Sequence, residues 1–270
     1  MRLGLVRLRF LIAPLLVVWC APLPAQDEKK EIQRYQQMIA EGSPVELFEL
    51  EGEALWKKPQ GPRNVSLERC NLGLGPGVLK GAYARLPRYF KDADRVMDLE
   101  TRLLHCMVSL QGRSVEDATR RVFGNDDRPS EMEVLSAYVA AQSRGFKLAP
   151  GTWHPREKAA YELGRSMFFH RAGSWDFSCA SCHGEAGKRI RMQELPLLHK
   201  PEFARPVMAT WPAYRVSNSQ FKTMQWRLND CYRQMRMPEP NFGSDATVAL
   251  TLFLTATAQG EPYRGPGTKR

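Results

Sequence analysis

Residues 174–190 read "SWDFSCASCHGEAGKRI", and this stretch decides the fold. Cys179, Cys182 and His183 stand in the spacing C-x-x-C-H, which attaches a c-type haem. The two thiols add across the haem vinyl groups, and the neighbouring imidazole is delivered to the iron. A zinc site built on the same pair would want further Cys or His close by, and the chain has no second pair. The reading is therefore one covalent haem c on Cys179 and Cys182, with His183 as the first axial ligand. The motif alone leaves the second ligand open.

Working outward, the flanks are helical and they repeat. Upstream, "EKAAYELGRSMFF" (157–169) puts Gly164 and Phe168 on one helical face. Downstream, "GSDATVALTLFLTATAQG" (243–260) opens on Ser244 as N-cap and Asp245 at the positive end of the dipole, and closes on Gly260. The first half runs the same course. "ELEGEALW" (49–56) gives Gly52 and Trp56 the same spacing, and "PSEMEVLSAYVAAQSRG" (129–145) has Ser130, Glu131 and Gly145 in the capping and stop positions. "LAPGTWHP" (148–155), rich in Gly and Pro, joins the two. The pattern predicts an all-α chain of two cytochrome c-like domains related by duplication, over 26–150 and 151–270. Only the second keeps the haem motif. Counted from Cys70, a second cysteine and a histidine would fall where Gly73 and Leu74 stand.

Residues 1–25 read as a secretory signal peptide. Arg2, Arg7 and Arg9 make a basic start, an apolar run follows from Phe10 to Trp19, and a small-residue region ends at Ala25. The apolar run is shorter than the roughly 20 residues of a membrane span. Bulky Trp19 argues against lipidation at Cys20. Export implies an oxidising compartment, where thiols pair. The formal net charge is +10, and loss of three Arg leaves 10 − 3 = +7. Hydrophobic residues make up 43% and charged residues 25%, a globular rather than disordered balance. No Lys/Arg run is dense enough for nucleic acid. The charge serves solubility or attracts an anion or an acidic partner.

Of six cysteines, Cys20 leaves with the signal peptide and the haem takes two. Cys70, Cys106 and Cys231 remain, an odd number. A Cys70–Cys106 disulfide would staple the half whose core has no porphyrin, and closing such a loop is worth roughly 3–4 kcal/mol. Cys231 is then the free thiol. It lies in "QWRLNDCYRQMRMPEPNFGS" (225–244), 48 residues after His183, where a small cytochrome c presents its distal ligand. Met235 and Met237 share that stretch, and an electron-carrying cytochrome would use one of them. His154, His170 and His199 read as surface or supporting residues, with His199 the runner-up ligand. Cys231 is preferred because it is unpaired and sits among Arg227, Arg233 and Arg236. Cations favour the thiolate, the form that ligates iron and attacks sulfur. Arg227, one helical turn earlier, shares its face.

With "CASCH" (179–183), "WPAYR" (211–215), "QWRLNDCYRQMR" (225–236) and "GSDA" (243–246), the chain resembles the SoxA family. Its members are the larger subunits of the SoxAX cytochromes of bacterial thiosulfate oxidation. The likeness runs along essentially all of the chain beyond the signal peptide. Some members carry two haems; others have lost the first and keep a disulfide in its place, the type that Cys70, Gly73, Leu74 and Cys106 match. The resemblance implies that Cys231 is the distal iron ligand, as a persulfide, and that Arg227 belongs to the active site. It implies an enzyme, an L-cysteine S-thiosulfotransferase. Such an enzyme couples thiosulfate oxidatively to a cysteine of the carrier SoxYZ and passes two electrons to c-type cytochrome. It further implies a SoxX-like small cytochrome as heterodimer partner, and the periplasm as compartment. The competing expectations are a non-catalytic His/Met electron carrier and a structural subunit that docks a partner cytochrome.

Overall fold

Backbone capping sets where the helices begin. The computed structural model describes residues 43–125, 128–190 and 193–269, with Lys30 and Arg34 besides. The expected signal peptide, its cleavage after Ala25 and Cys20 lie outside the described residues. In the first half, α1 (Val45–Lys57) is followed by the hairpin of β1 (Arg88–Phe90) and β2 (Arg95–Met97). Then come α2 (Leu99–Ser109), the short α3 (Val115–Thr119) and α4 (Glu131–Ala141). Ser130 Oγ accepts from Glu133 N at 3.1 Å, and the Glu133 carboxylate accepts from Ser130 N at 2.9 Å. This reciprocal box satisfies two backbone donors that a helix start otherwise leaves unpaired.

The second half contains α5 (Pro155–Phe169), α6 (Cys179–His183), and the hairpin of β3 (Arg189–Ile190) and β4 (Gln193–Glu194). It continues with α7 (Pro201–Met208), β5 (Ala213–Arg215), β6 (Gln220–Lys222) and α8 (Met224–Gln234). The last elements are α9 (Asp245–Thr257) and β7 (Gly267–Lys269). Ser244 Oγ accepts from Thr247 N and starts α9. Gly145 and Gly260, with φ of 83° and 87°, lie a few residues past the ends of α4 and α9 in the left-handed region that favours glycine.

Two glycines let the helices cross at backbone distance. A Cβ on Gly52 would stand 2.0 Å from the Val134 carbonyl oxygen of α4, and one on Gly164 would stand 2.0 Å from the Ala249 carbonyl oxygen of α9. One turn further, Trp56 and Phe168 are buried in the cores of their respective halves. The first core closes over Cys70 and Cys106, which are joined as a disulfide with Cα atoms 5.6 Å apart.

The expectation of an all-α chain narrows to a mostly helical one, because the described residues also form three small sheets: two hairpins, and a three-stranded sheet in the order β6-β5-β7. In that sheet β5 runs antiparallel to β6 and parallel to β7. Each strand has only two or three residues, too few for the alternation that marks a strand in sequence. The architecture is mostly helical with these sheets as connectors.

The halves meet through buried polar groups. Lys222 Nζ on β6 donates to Glu133 Oε1 on α4 at 2.9 Å, with both side chains almost fully buried. Gln225 Nε2 donates to Asp98 Oδ2 at 2.7 Å, and Gln225 Oε1 accepts from Gly243 N at 2.7 Å. The 148–155 joint is pinned to both sides: Ala149 N donates to Ala84 O at 2.7 Å and Leu148 N to Glu261 O at 2.9 Å.

Candidate functional site

The C-x-x-C-H residues form a single helical turn. Ser178 Oγ accepts from Ser181 N at 3.2 Å and Ser181 Oγ accepts from Ser178 N at 3.0 Å, so a capping box fixes α6 despite its length. Cys179 and Cys182 are three residues apart and share a helix face. Both are free thiols, half-buried. His183 Nδ1 lies 2.9 Å from Pro196 O. A carbonyl can only accept, so Nδ1 carries the proton and Nε2 keeps its lone pair. Burial holds the imidazole below its ordinary basicity, and the charge of Arg227 adds to this. The ring is thus kept neutral, the form that binds metal.

Helix α8 brings Cys231 to the same place. Thr223 caps it, accepting from Trp226 N at 3.3 Å. Cys179 and Ala180 pack on the cluster that holds Leu228 and Tyr232 of α8, and the Cys231 thiol lies within electrostatic reach of Cys179 and Cys182. Burial pushes Cys179 up to about 12, the Cys231 and Cys182 sulfurs adding to it. Cys231 is raised above the ordinary thiol value, with burial the largest cause. Arg227 opposes that rise most and Arg215 adds to the opposition, while Asp230 and Cys182 reinforce the rise. The arginines act in the expected direction, toward thiolate, and burial acts against them.

The arginines also divide. Arg227 Nη1 donates to Asp230 Oδ2 at 2.6 Å, and Gln234 Nε2 donates to the same oxygen at 2.9 Å. Arg233 turns to Glu239, 3.0 Å away, and Arg236 lies over the Trp175 ring at 5.7 Å. Of the three arginines singled out in the sequence, Arg227 is the one whose charge acts on Cys231 and His183. Asp230, which holds its guanidinium, was not read as a site residue, although an acid three residues after Arg227 was the signal available for it. Arg215 and Lys269 were not read as site residues, and only the β5–β7 pairing sets them side by side.

The remaining candidates have other surroundings. Met235 is buried in the core of the second half, and Met237 packs at its edge beside Gly173. His199 Nδ1 is 3.3 Å from His183 O, and the ring packs on Phe168 and Phe169. His154 caps α5 and stacks on Tyr89 at 3.7 Å, and His170 terminates α5. In the first half, Cys70 and Cys106 are bonded at 2.04 Å. The turn after Cys70 disfavours a side chain at position 73: Gly73 has φ 101°, and a Cβ there would stand 2.7 Å from Arg88 Cδ, so that the arginine would have to move. Arg88 Nη1 donates to Gly73 O at 2.9 Å, and Arg102 Nε donates to Asn71 O at 2.7 Å. Among the described residues no group of three or more His, Cys, Asp or Glu gathers to hold a metal ion. No helix among them is long and apolar enough to cross a membrane.

The donor set fits a covalent haem. It offers two thiols on one helical face, a neutral imidazole with Nε2 available, and a third sulfur within electrostatic reach, against an apolar cluster that includes Cys179, Phe168, Tyr232 and Met235. The family model for the SoxA/TsdA cytochrome c domain matches residues 51–148, the half without the C-x-x-C-H motif. The L-cysteine S-thiosulfotransferase subunit SoxA of Hydrogenophilus thermoluteolus is 53% identical, over 89% of this chain and 88% of that protein. The chain belongs to the SoxA family. A SoxA subunit of the same description from Hydrogenobacter thermophilus is 35% identical over 90% of this chain and 92% of its own length. The fold of the SoxA family is also seen in the crystal structure of SoxXA from P. pantotrophus. That match has TM-score 0.69 at 24% identity and covers 84% of this chain and 79% of that one.

Proposed function

We propose that this chain is the SoxA-type subunit of an L-cysteine S-thiosulfotransferase, with Cys231 and Arg227 at its reacting centre. The observation that carries the reading is the packing of the C-x-x-C-H turn, through Cys179 and Ala180, on Leu228 and Tyr232 of the helix that bears Cys231, with Arg227 fixed by Asp230 on that helix. Cys179 and Cys182 would hold one haem c, and His183 and the sulfur of Cys231, carried as a persulfide, would bind its iron. The bound haem supplies a one-electron acceptor that relays charge outward. The reaction joins thiosulfate to a carrier cysteine of SoxYZ. An S–S bond forms, the carrier thiol loses its proton, and two electrons leave for c-type cytochrome, giving the cysteine S-thiosulfonate. Arg227 presents planar donors to the dianion. Asp230 and Gln234 keep the guanidinium in place. The pocket's burial makes that charge count for more than it would in water.

The same reading assigns residues 26–150 to a haemless cytochrome c-like domain and 151–270 to the haem-bearing one, related by duplication. Support comes from the matched glycine crossings, the paired caps at Ser130 and Ser244, and the family match to the haemless half. The disulfide and the arginine-lined turn at Gly73 stand where a second haem motif would begin. A SoxX-like cytochrome as heterodimer partner, SoxYZ as carrier, export by residues 1–25 and a periplasmic location complete the proposal.

The test uses the purified heterodimer with carrier and thiosulfate, following cytochrome reduction and the mass of the carrier. Arg227→Ala is expected to lower kcat/KM about 10²–10³-fold, the range for loss of a preorganised charge in a dry site. Cys231→Ser should abolish turnover with haem still attached. Full activity in both variants would disprove the assignment.

A further inference from the structure

One turn of chain grips His183 at two points. The ring Nδ1 of His183 lies 2.9 Å from Pro196 O, and its main-chain carbonyl oxygen lies 3.3 Å from His199 Nδ1. A carbonyl only accepts, so His199 carries a proton on Nδ1 and donates it to this contact. The turn between Pro196 and His199 is itself fixed. Lys200 N donates to Leu197 O at 3.0 Å, and Leu197 is buried. Upstream, Leu195 N donates to Lys188 O at 2.8 Å. Downstream the chain enters α7, whose Ala204 and Met208 belong to the core of the second half. The His199 ring packs on Phe168 and Phe169 at the end of α5, with centroids 6.3 and 5.8 Å away, and Phe168 is buried in that same core. His199 thus ties α6 to α5 and to the start of α7. Helix α6 needs such support, because five residues are far too few for a helix to hold itself. The Ser178–Ser181 box secures its start. The last carbonyls of a helix have no partner within it, and a histidine side chain is one of the groups that can satisfy them. His183 is the last residue of α6, so the carbonyl that His199 takes belongs to the iron-binding candidate itself.

We propose that His199 is a positioning residue for the haem site: it holds the main chain of His183 while Pro196 holds the ring, so that the imidazole is presented to iron in one orientation. The inference rests on the reading of His183 as an iron ligand. His199 acts through His183 and is not itself a ligand. A ligand fixed only by its ring could swing with the frayed end of a five-residue helix. A ligand fixed at ring and backbone together keeps both its tautomer and its direction, as the outer partners of metal-binding histidines do.

The experiment uses the haem-loaded full chain and sorts variants by where they place a donor. The Nδ2 of an asparagine can stand where Nδ1 of His199 does, the Nε2 of a glutamine sits one carbon further out, and a leucine has no donor. Two quantities are read. Hydrogen exchange of Gly184 N, which closes α6 by donating to Ala180 O at 2.8 Å, reports fraying of the turn. The electron paramagnetic resonance signal of the oxidised haem reports whether the imidazole has one orientation or several. His199→Leu should speed the exchange about three- to tenfold, the range for one part-buried hydrogen bond, and should broaden the haem signal. His199→Asn should restore both quantities, and His199→Gln should restore neither. Asn and Gln both remove the ring that packs on Phe168 and Phe169, so a difference between them reads the hydrogen bond and not the packing. His170→Leu, exposed at the end of α5, should match wild type throughout. Wild-type exchange and signal in His199→Leu would overturn the proposal. Equal losses in His199→Asn and His199→Gln would overturn it too, because ring packing alone would then explain the effect. A wild-type haem spectrum in His183→Ala is a different failure: it would remove the reading of His183 as ligand, and the positioning role with it.

Discussion

At Cys231 two effects of opposite sign meet. Burial disfavours the thiolate, and Arg227 and Arg215 favour it. Iron would settle the contest, because a metal-bound sulfur is deprotonated outright. A thiolate-type sulfur pushes electron density onto iron and lowers its potential, whereas a thioether raises it. Cys231→Met is therefore expected to keep the haem on Cys179 and Cys182. The potential should rise by a sizeable fraction of the roughly 0.8 V span that axial ligands command. A redox titration checks this, and an unchanged potential and spectrum would transfer the ligand role to Met235 or Met237. At this scale the sequence was informative where partners are close along the chain. Arg227 and Asp230 are each within one helical turn of Cys231 and could be placed from spacing. Lys269 is distant in sequence from Arg215, and their adjacency depends on a three-residue parallel pairing that no local pattern announces.

At the scale of elements, the periodic signals were strong where helices are long and capped, and silent where strands are short. The glycine–aromatic pairs at 52/56 and 164/168 predicted equivalent helix faces, and the structure places each glycine against a backbone carbonyl of a partner helix. β5, β6 and β7 span three residues each and gave no alternation to read. The glycine contacts are close enough to be tested by a single methyl group. Both neighbours are backbone atoms, which cannot turn aside as a side chain does, so the helices must separate. Gly52→Ala and Gly164→Ala should each destabilise by about 1–3 kcal/mol or more, the cost of overpacking. Urea unfolding should show a lower midpoint with an unchanged slope. Midpoints equal to wild type would mean that the helix crossings are looser than the structure shows.

At the scale of the whole molecule, the halves share apolar clusters and also polar groups taken out of water, and the polar groups give stability a pH dependence. Asp98 caps α2, accepting from Thr101 N at 2.9 Å, and also accepts from Gln225 across the joint. Glu100, two residues along, receives Gln225 N at 3.4 Å, while its Oε1 has no hydrogen-bond partner among the described residues and Glu100 lines a cavity of about 20 Å³ with Ser136 and Thr223. Burial raises the Glu100 carboxyl well above the ordinary carboxylate range; Asp98 and Glu133 reinforce this, and contacts from Thr223 and Gln225 oppose it. Burial raises Asp98 as well. An acid with a raised value in the native state keeps its proton at pH values where the unfolded chain has already lost it. The native state then binds more protons than the unfolded one, so stability falls as pH climbs from the ordinary carboxylate range through the raised native value. Below that range both states are protonated, and these groups contribute no slope. Glu100→Gln keeps the shape and removes the charge. It should therefore melt higher than wild type at pH 8, with an advantage that shrinks steadily on acidification and vanishes near pH 4. Thermal unfolding of both proteins across that interval reads the difference directly. A gap in melting temperature that stays constant with pH would show that Glu100 titrates alike in the folded and unfolded chain. The joint between the halves would then owe nothing to a proton held there.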